Sequence, residues 1–153
     1  MMIDILDRIK LFEILSKLQA ADKPKFGAMT PQYMVEHLAL VVRFSNGKEP
    51  QQHRYTTDQQ QKIKAFIIDT GKVMTIDFKY PLLPAEGLPT FKHFSLTNLI
   101  DNLKTELNDF DNYFLQHPSD KPINPIKGEL NYEEWIRFHN RHFTHHFRQF
   151  RLL

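Results

Sequence analysis

The chain has no cysteine among its 153 residues. That absence excludes disulfides, thiolate zinc sites and a cysteine nucleophile, and it fits a cytoplasmic address. Charge of one sign is equally scarce. Lys and Arg number 20 against 18 Asp and Glu, a net charge of +2. So balanced a chain does not point to nucleic acid or an anionic membrane as partner. Long hydrophobic runs are missing too: the densest, Leu38 to Val42, falls far short of the ~18 residues of a membrane span. The opening MMIDILDRIK alternates apolar residues with charges, so no signal-peptide core is expected there. Glycine is limited to 5 residues and tryptophan to 1, whereas phenylalanine reaches 13. With 41% apolar and 25% charged residues, the composition is that of one globular domain over 1–153. It is large enough to bury a core without staples.

Apolar spacing then predicts the elements. Ile5, Ile9, Phe12 and Leu15 share one face of a helix expected over 3–18. Pro24 and Gly27 make AADKPKFGAM a loop. Thr30 as N-cap and Pro31 at the first helical position start a second helix. It carries Tyr33, Met34, His37, Leu38, Val41 and Val42, and Asn46-Gly47 is its stop. Thr57 can cap a short helix over 58–70, ended by Gly71. Ile76, Phe78 and Tyr80 alternate like a strand, but no second run pairs with them, so this stretch reads as an extended crossover. Pro81, Pro84, Gly87 and Pro89 keep the next residues irregular.

Ser95 caps a long helix whose stripe is Leu96, Leu99, Ile100, Leu103, Leu107, Phe110 and Phe114, and Pro118 ends it. HPSDKPINPIKGEL, with three prolines, reads as a loop. Asn131 to Glu134 resembles a capping box for a last helix over 132–149. The expected class is all-α: a four-helix bundle with a long crossover between the second and third long helices. Short links make the first and second, and the third and fourth, antiparallel neighbours. A crossover of about 50 residues lets the second and third run parallel.

Histidine is the residue whose placement stands out. Of eight copies, His139, His142, His145 and His146 crowd into the last helix. Residues four apart lie about 40° apart on a helix, so His142 and His146 point the same way, one turn apart. Trp135, Phe138 and Gln149 lie within about 40° of His142, which makes this the core-directed face. Arg137, Asn140, Arg141 and Arg148 fall off that face, while His139 and His145 sit about 60° to either side, at its edges. His37, in the stripe Met34–His37–Val41, also points inward. Three converging imidazoles form a first shell for a divalent first-row metal, with a coordination position left for water or substrate. Simpler explanations exist. A helix C-terminus favours His and Arg through its macrodipole, and a lone inward histidine such as His37 is commonly a hydrogen-bonded core residue. The tail HNRHFTHHFRQFRLL could stack on RNA, but its aromatics lie at core spacing and the net charge is small.

A histidine in an early helix, as in MVEHLAL, followed late in the chain by H-x-x-x-H-x-x-Q, resembles the DinB-like superfamily. That superfamily includes bacillithiol- and other thiol-transferase-like metal-dependent enzymes. FGAMTPQYMVEHLAL, LQHP…GELNYEEW and HNRHFTHHFRQF are similar to a bacterial branch of it that carries only a domain-of-unknown-function label. The resemblance covers essentially the whole chain and is weak over 46–95. It implies a four-helix bundle with a long crossover after the second helix. It also implies metal-binding histidines at His37, His142 and His146, and a polar position without an assigned role at Gln149.

Two classes of function are expected. One is a metal-dependent transferase or hydrolase acting on a small molecule. The bound ion (Zn, Ni or Fe) would lower the pKa of a coordinated thiol or water. Any thiolate would come from a low-molecular-weight cosubstrate, since the chain has no Cys. Weak candidates for a general base are His139, His145 and Glu36. The alternative is a non-catalytic metal- or ligand-binding bundle, and a homodimer through a Phe-rich face is open to either. Neither nucleic acid nor membrane is expected as a partner. Haem is disfavoured, because two histidines one turn apart cannot supply opposite axial ligands.

Overall fold

A computed structural model describes residues 1–53, 56–65 and 95–153. Among these residues the chain forms helices α1 (Arg8–Leu15), α2 (Pro31–Arg43), α3 (Thr57–Lys64), α4 (Leu96–Gln116) and α5 (Tyr132–Gln149). Between the last two lies a small hairpin, β1 (Ile123–Asn124) with β2 (Gly128–Glu129). The protein is all-α. The end of the helix expected over 58–70, the Gly71 stop, the Ile76–Tyr80 run, Pro81, Pro84, Gly87, Pro89 and His93 lie outside the described residues.

The helix starts are set by side chains that satisfy backbone N–H groups left over at an N-terminus. Thr30 accepts from the Tyr33 N–H, with Pro31 following it. Ser95 accepts from Asn98. Asn131 and Glu134 close a reciprocal capping box. Thr56, one residue before the expected cap, makes the same box with Gln59.

The end of α2 is welded to α4. Asn46 Nδ2 donates to the buried Glu106 carboxylate at 2.8 Å, and the Lys48 ammonium lies 3.1 Å from Glu106 and 2.5 Å from Asp109. Gly47 takes φ +81, and a Cβ there would meet the Tyr113 ring at 2.7 Å. Only glycine suits both that backbone and that approach.

Side-chain pairs give the helix directions. Ser45 meets His139, whereas His37, earlier in α2, meets His142, so α2 and α5 are antiparallel. Phe110 packs on His139 and Phe114 on Tyr132, so α4 and α5 are antiparallel. Hence α2 and α4 run parallel, as a long crossover allows. Arg8 pairs with Asp111 at 2.8 Å and Lys104 lies over the Phe12 ring, so α1 runs antiparallel to α4. The core between these helices holds Met34, Leu38, Leu103, Leu107, Phe110, Trp135, Phe138, Phe143 and Phe147, each essentially without exposure.

Three expectations need correction. The first helix is half its expected length. Asp7 caps it and accepts from the Lys10 N–H, so the helical phase starts at Arg8, turning Leu11, Ile14 and Leu15 inward and leaving Ile9 85% exposed. The residues before it run along α5 and then turn into α1 at Asp4–Asp7. The Ile3 N–H donates to Thr144 Oγ1 and the Ile5 N–H to Asn140 Oδ1, which buries Ile3 and Ile5 alternately with exposed neighbours. Second, the Pro-rich segment is not wholly irregular. Asn124 Oδ1 accepts from the Ile126 and Lys127 N–H groups and folds the β1–β2 turn. The Trp135 indole then donates to the Pro122 carbonyl. Third, Arg141 is buried although its angle placed it off the core face, because α5 is covered over most of its circumference.

The shift of phase is testable by urea denaturation. Ile5→Ala, which empties a buried site, should cost about 2–4 kcal/mol, and Ile9→Ala less than about 0.5 kcal/mol. A helix beginning at residue 3 would turn both side chains to one face and make the two costs comparable.

Candidate metal centre

The centre is built from two elements. Met34, Leu38 and Val41 turn the inner face of α2 into the core, and His37 sits between them on the same face. On α5, Phe138 and Phe147 direct the other face inward and carry His142 and His146 with it. The three imidazoles are 4%, 1% and 5% exposed, in chain order.

Their nitrogens meet. His37 Nε2 lies 2.8 Å from His142 Nε2, and His146 Nε2 lies 3.2 Å from the same atom. The three ligand atoms all fall within 4.8 Å of one another. The ring centroids form a nearly equilateral triangle with sides of 4.8, 4.9 and 4.8 Å, and each pair is close to edge-on. Two imidazole nitrogens bonded to one ion at 2.0–2.1 Å stand about 2.9–3.4 Å apart for angles between octahedral and tetrahedral. The His142–His146 separation of 3.2 Å falls inside that range and the His37–His142 separation of 2.8 Å just below it. The widest spread of the three atoms, 4.8 Å, must close to about 4.2 Å or less for all three to bind at once, so these side chains could hold a divalent cation after a small turn of the rings.

Electrostatics point the same way. Burial pushes His37 down to about 3, with His145 adding a smaller repulsion. Burial, then the neighbouring imidazoles, hold His142 and His146 well below the usual histidine range. At neutral pH the rings are uncharged, which is the form that offers a lone pair to a metal.

The other histidines are disposed differently. His139 is fully buried, stacked on Trp135 and edge-on to Phe110, and its Nε2 is 2.9 Å from Ser45 Oγ. It therefore belongs to the core rather than to the edge of the ligand set. Burial lowers it to about 3. His145 packs its ring against Phe26 and His146 at the loop before α2. His53 Nδ1 bonds Gln60 Oε1, and His117 stacks beside Tyr113. Glu36 faces Arg43 at 3.6 Å on the outer side of α2, which removes it as a base for the centre.

Gln149 lies within the site's surroundings. Its Oε1 is 2.8 Å from His146 Nδ1, and its Nε2 donates to the Phe26 carbonyl at 2.9 Å. No pattern in the sequence marks Ser45 or the Phe26 carbonyl as neighbours of these histidines, and Lys127 is marked only faintly. That lysine is 1% exposed, lies over the Phe138 ring at 4.5 Å, and is lowered to about 7 by burial. Its one sequence signal is the Asn124 turn that folds it inward.

Among the described residues no helix is long and apolar enough to cross a membrane. Comparison with protein-family models, with curated proteins and with solved structures finds no match for this chain.

A pH series checks the neutral state of the buried rings. His37 and His139 are lowered from 6.5 to about 3. Below pH 6.5 the unfolded chain therefore takes up protons that the fold refuses, and stability falls. In a strong chelator, the free energy of urea unfolding should drop between pH 7 and 4. The slope should reach about 1.4 kcal/mol per pH unit for each histidine kept neutral. A flat profile would mean that these rings are charged in the fold.

Proposed function

We propose that this protein binds one divalent first-row metal ion through His37, His142 and His146 and uses it on a small molecule, in a thiol transfer or a hydrolysis. The observation that carries the reading is the convergence of three Nε2 atoms from two helices at one buried point. Neutral imidazoles have one proton each, and a single N–H can bridge only one such pair. A cation satisfies three lone pairs together. The resemblance to the DinB-like superfamily supports the same three positions.

When bound, such an ion supplies Lewis acidity and lowers the pKa of a coordinated thiol or water. The chain's own residues do the rest. Three protein ligands leave room for an exogenous one. Phe138, stacked on His142 with 17° between the planes, fixes the ring and keeps water from its face. The absence of cysteine means that a thiol substrate would bring the sulfur. His145 packs its ring between Phe26, in the loop that borders the centre, and His146.

Elemental analysis of untagged protein tests the binding step. Wild type should carry about one equivalent of metal per chain. His37→Ala, His142→Ala and His146→Ala should each lose most of it, because two imidazoles hold a divalent ion far less well. His53→Ala and His117→Ala should keep it. Circular dichroism should show all five variants folded, since Leu, Phe and Trp supply most of the buried area. Retention of metal by the variant lacking all three ligands would refute the assignment. Turnover of a low-molecular-weight thiol with an electrophile by the loaded protein separates the enzyme from a non-catalytic metal-binding bundle.

A further inference from the structure

Gln149 joins the end of α5 to the loop ahead of α2 through both its backbone and its side chain. The Lys25 N–H donates to the Gln149 carbonyl at 2.7 Å, satisfying one of the free carbonyls at the helix end. The side-chain amide, 4% exposed, reaches the Phe26 carbonyl on one side and His146 on the other. A carbonyl only accepts, so the Phe26 oxygen requires the amide NH2 to face it. The opposite amide orientation would set two oxygens 2.9 Å apart. The amide oxygen is then the atom that faces His146, and it can only accept. His146 Nδ1 must carry the proton. In a neutral imidazole this leaves the lone pair on Nε2, the atom 3.2 Å from His142 Nε2 in the histidine cluster with His37.

We infer that Gln149 is a positioning residue that fixes His146 as its Nδ1–H tautomer, with the Phe26 carbonyl fixing Gln149 in turn. A backbone oxygen in the α1–α2 loop thereby sets which nitrogen of His146 is offered at the centre. Gly27 makes the approach feasible. It takes φ +75, and a Cβ there would stand 2.9 Å from Gln149 Nε2. The consequence for metal affinity rests on the metal reading above; the tautomer does not.

Long-range proton–nitrogen correlation spectra of metal-free, 15N-labelled protein at pH 7.5 read the tautomer directly. Wild type should show His146 protonated at Nδ1. In Gln149→Ala the preference should be lost. Gln149→Glu still accepts from Nδ1 but cannot donate to Phe26, and it should retain the tautomer. Gly27→Ala, which changes no polar group, should weaken the preference by displacing the amide. Zinc titration against a competing chelator should show affinity about 10–100-fold lower in Gln149→Ala than in wild type, with substantial recovery in Gln149→Glu. An Nδ1–H signal unchanged in Gln149→Ala overturns the inference, as does an Nε2–H signal in wild type, which needs no variant to fold. If wild type binds no zinc yet shows the Gln149-dependent tautomer, the metal reading fails and the positioning role stands.

Discussion

Taking imidazole out of water is the constraint on which this fold turns. Burial is the largest influence on His37, His139, His142 and His146, and in each it favours the neutral ring. A neutral ring has a donor and an acceptor, and inside a core a counterpart for either is favoured; His139 pairs through Nε2 and leaves Nδ1 without a hydrogen-bond partner among the described residues. Those counterparts supply several of the ties between distant parts of the chain. His139 reaches Ser45 at the end of α2. His37 and His142 meet across the two helices. His146 reaches Gln149, and through it the loop at Phe26. The phenylalanines between them supply the buried apolar area, while the imidazole partners help to fix how far α2 slides along α5.

The legible part of this protein is local. Thr30, Ser95 and Asn131 act within three residues of themselves, so their caps can be read from spacing alone. The three converging histidines are legible for a related reason: a four-residue step on α5 and an inward place on α2 each fix a direction. The illegible part is long-range. Ile3 and Ile5 are inward because their backbone N–H groups find Thr144 and Asn140, about 140 positions away. Helical periodicity cannot see that, and it therefore misplaces Ile9. It also misplaces His139 and Arg141, because an angular count gives α5 a single inward face. Contacts from α2, α4 and the N-terminal residues ahead of α1 cover that helix on several sides, and a helix covered that way has no clean polar face.

His139 and His146 show how partners, rather than residue type, decide chemistry. The Ser45 hydroxyl donates to the Val42 carbonyl at 2.8 Å. Its proton is therefore committed, and toward His139 the oxygen can only accept. His139 Nε2 must be the protonated nitrogen. That is the reverse of nucleophile activation, in which the imidazole takes a proton from the serine. The Ser45–His139 pair is thus a structural bond, although the same two residue types elsewhere make a catalytic dyad.

At His146 the logic is inverted by an acceptor on the other nitrogen. Gln149 holds the proton at Nδ1, so Nε2 is left as a lone pair. Two histidines on one helix, both buried and both neutral, thus present opposite tautomers. One is closed to a metal at its inward nitrogen, and the other is open. The carbonyls that impose the difference, Val42 on His139 and Phe26 on His146, belong to the backbone of α2 and of the loop before it. The candidate metal ligand His146 is in this way sorted from His139 on the same helix by the main chain of α2 and of the loop before it, whose carbonyls stay acceptors at any pH the fold survives.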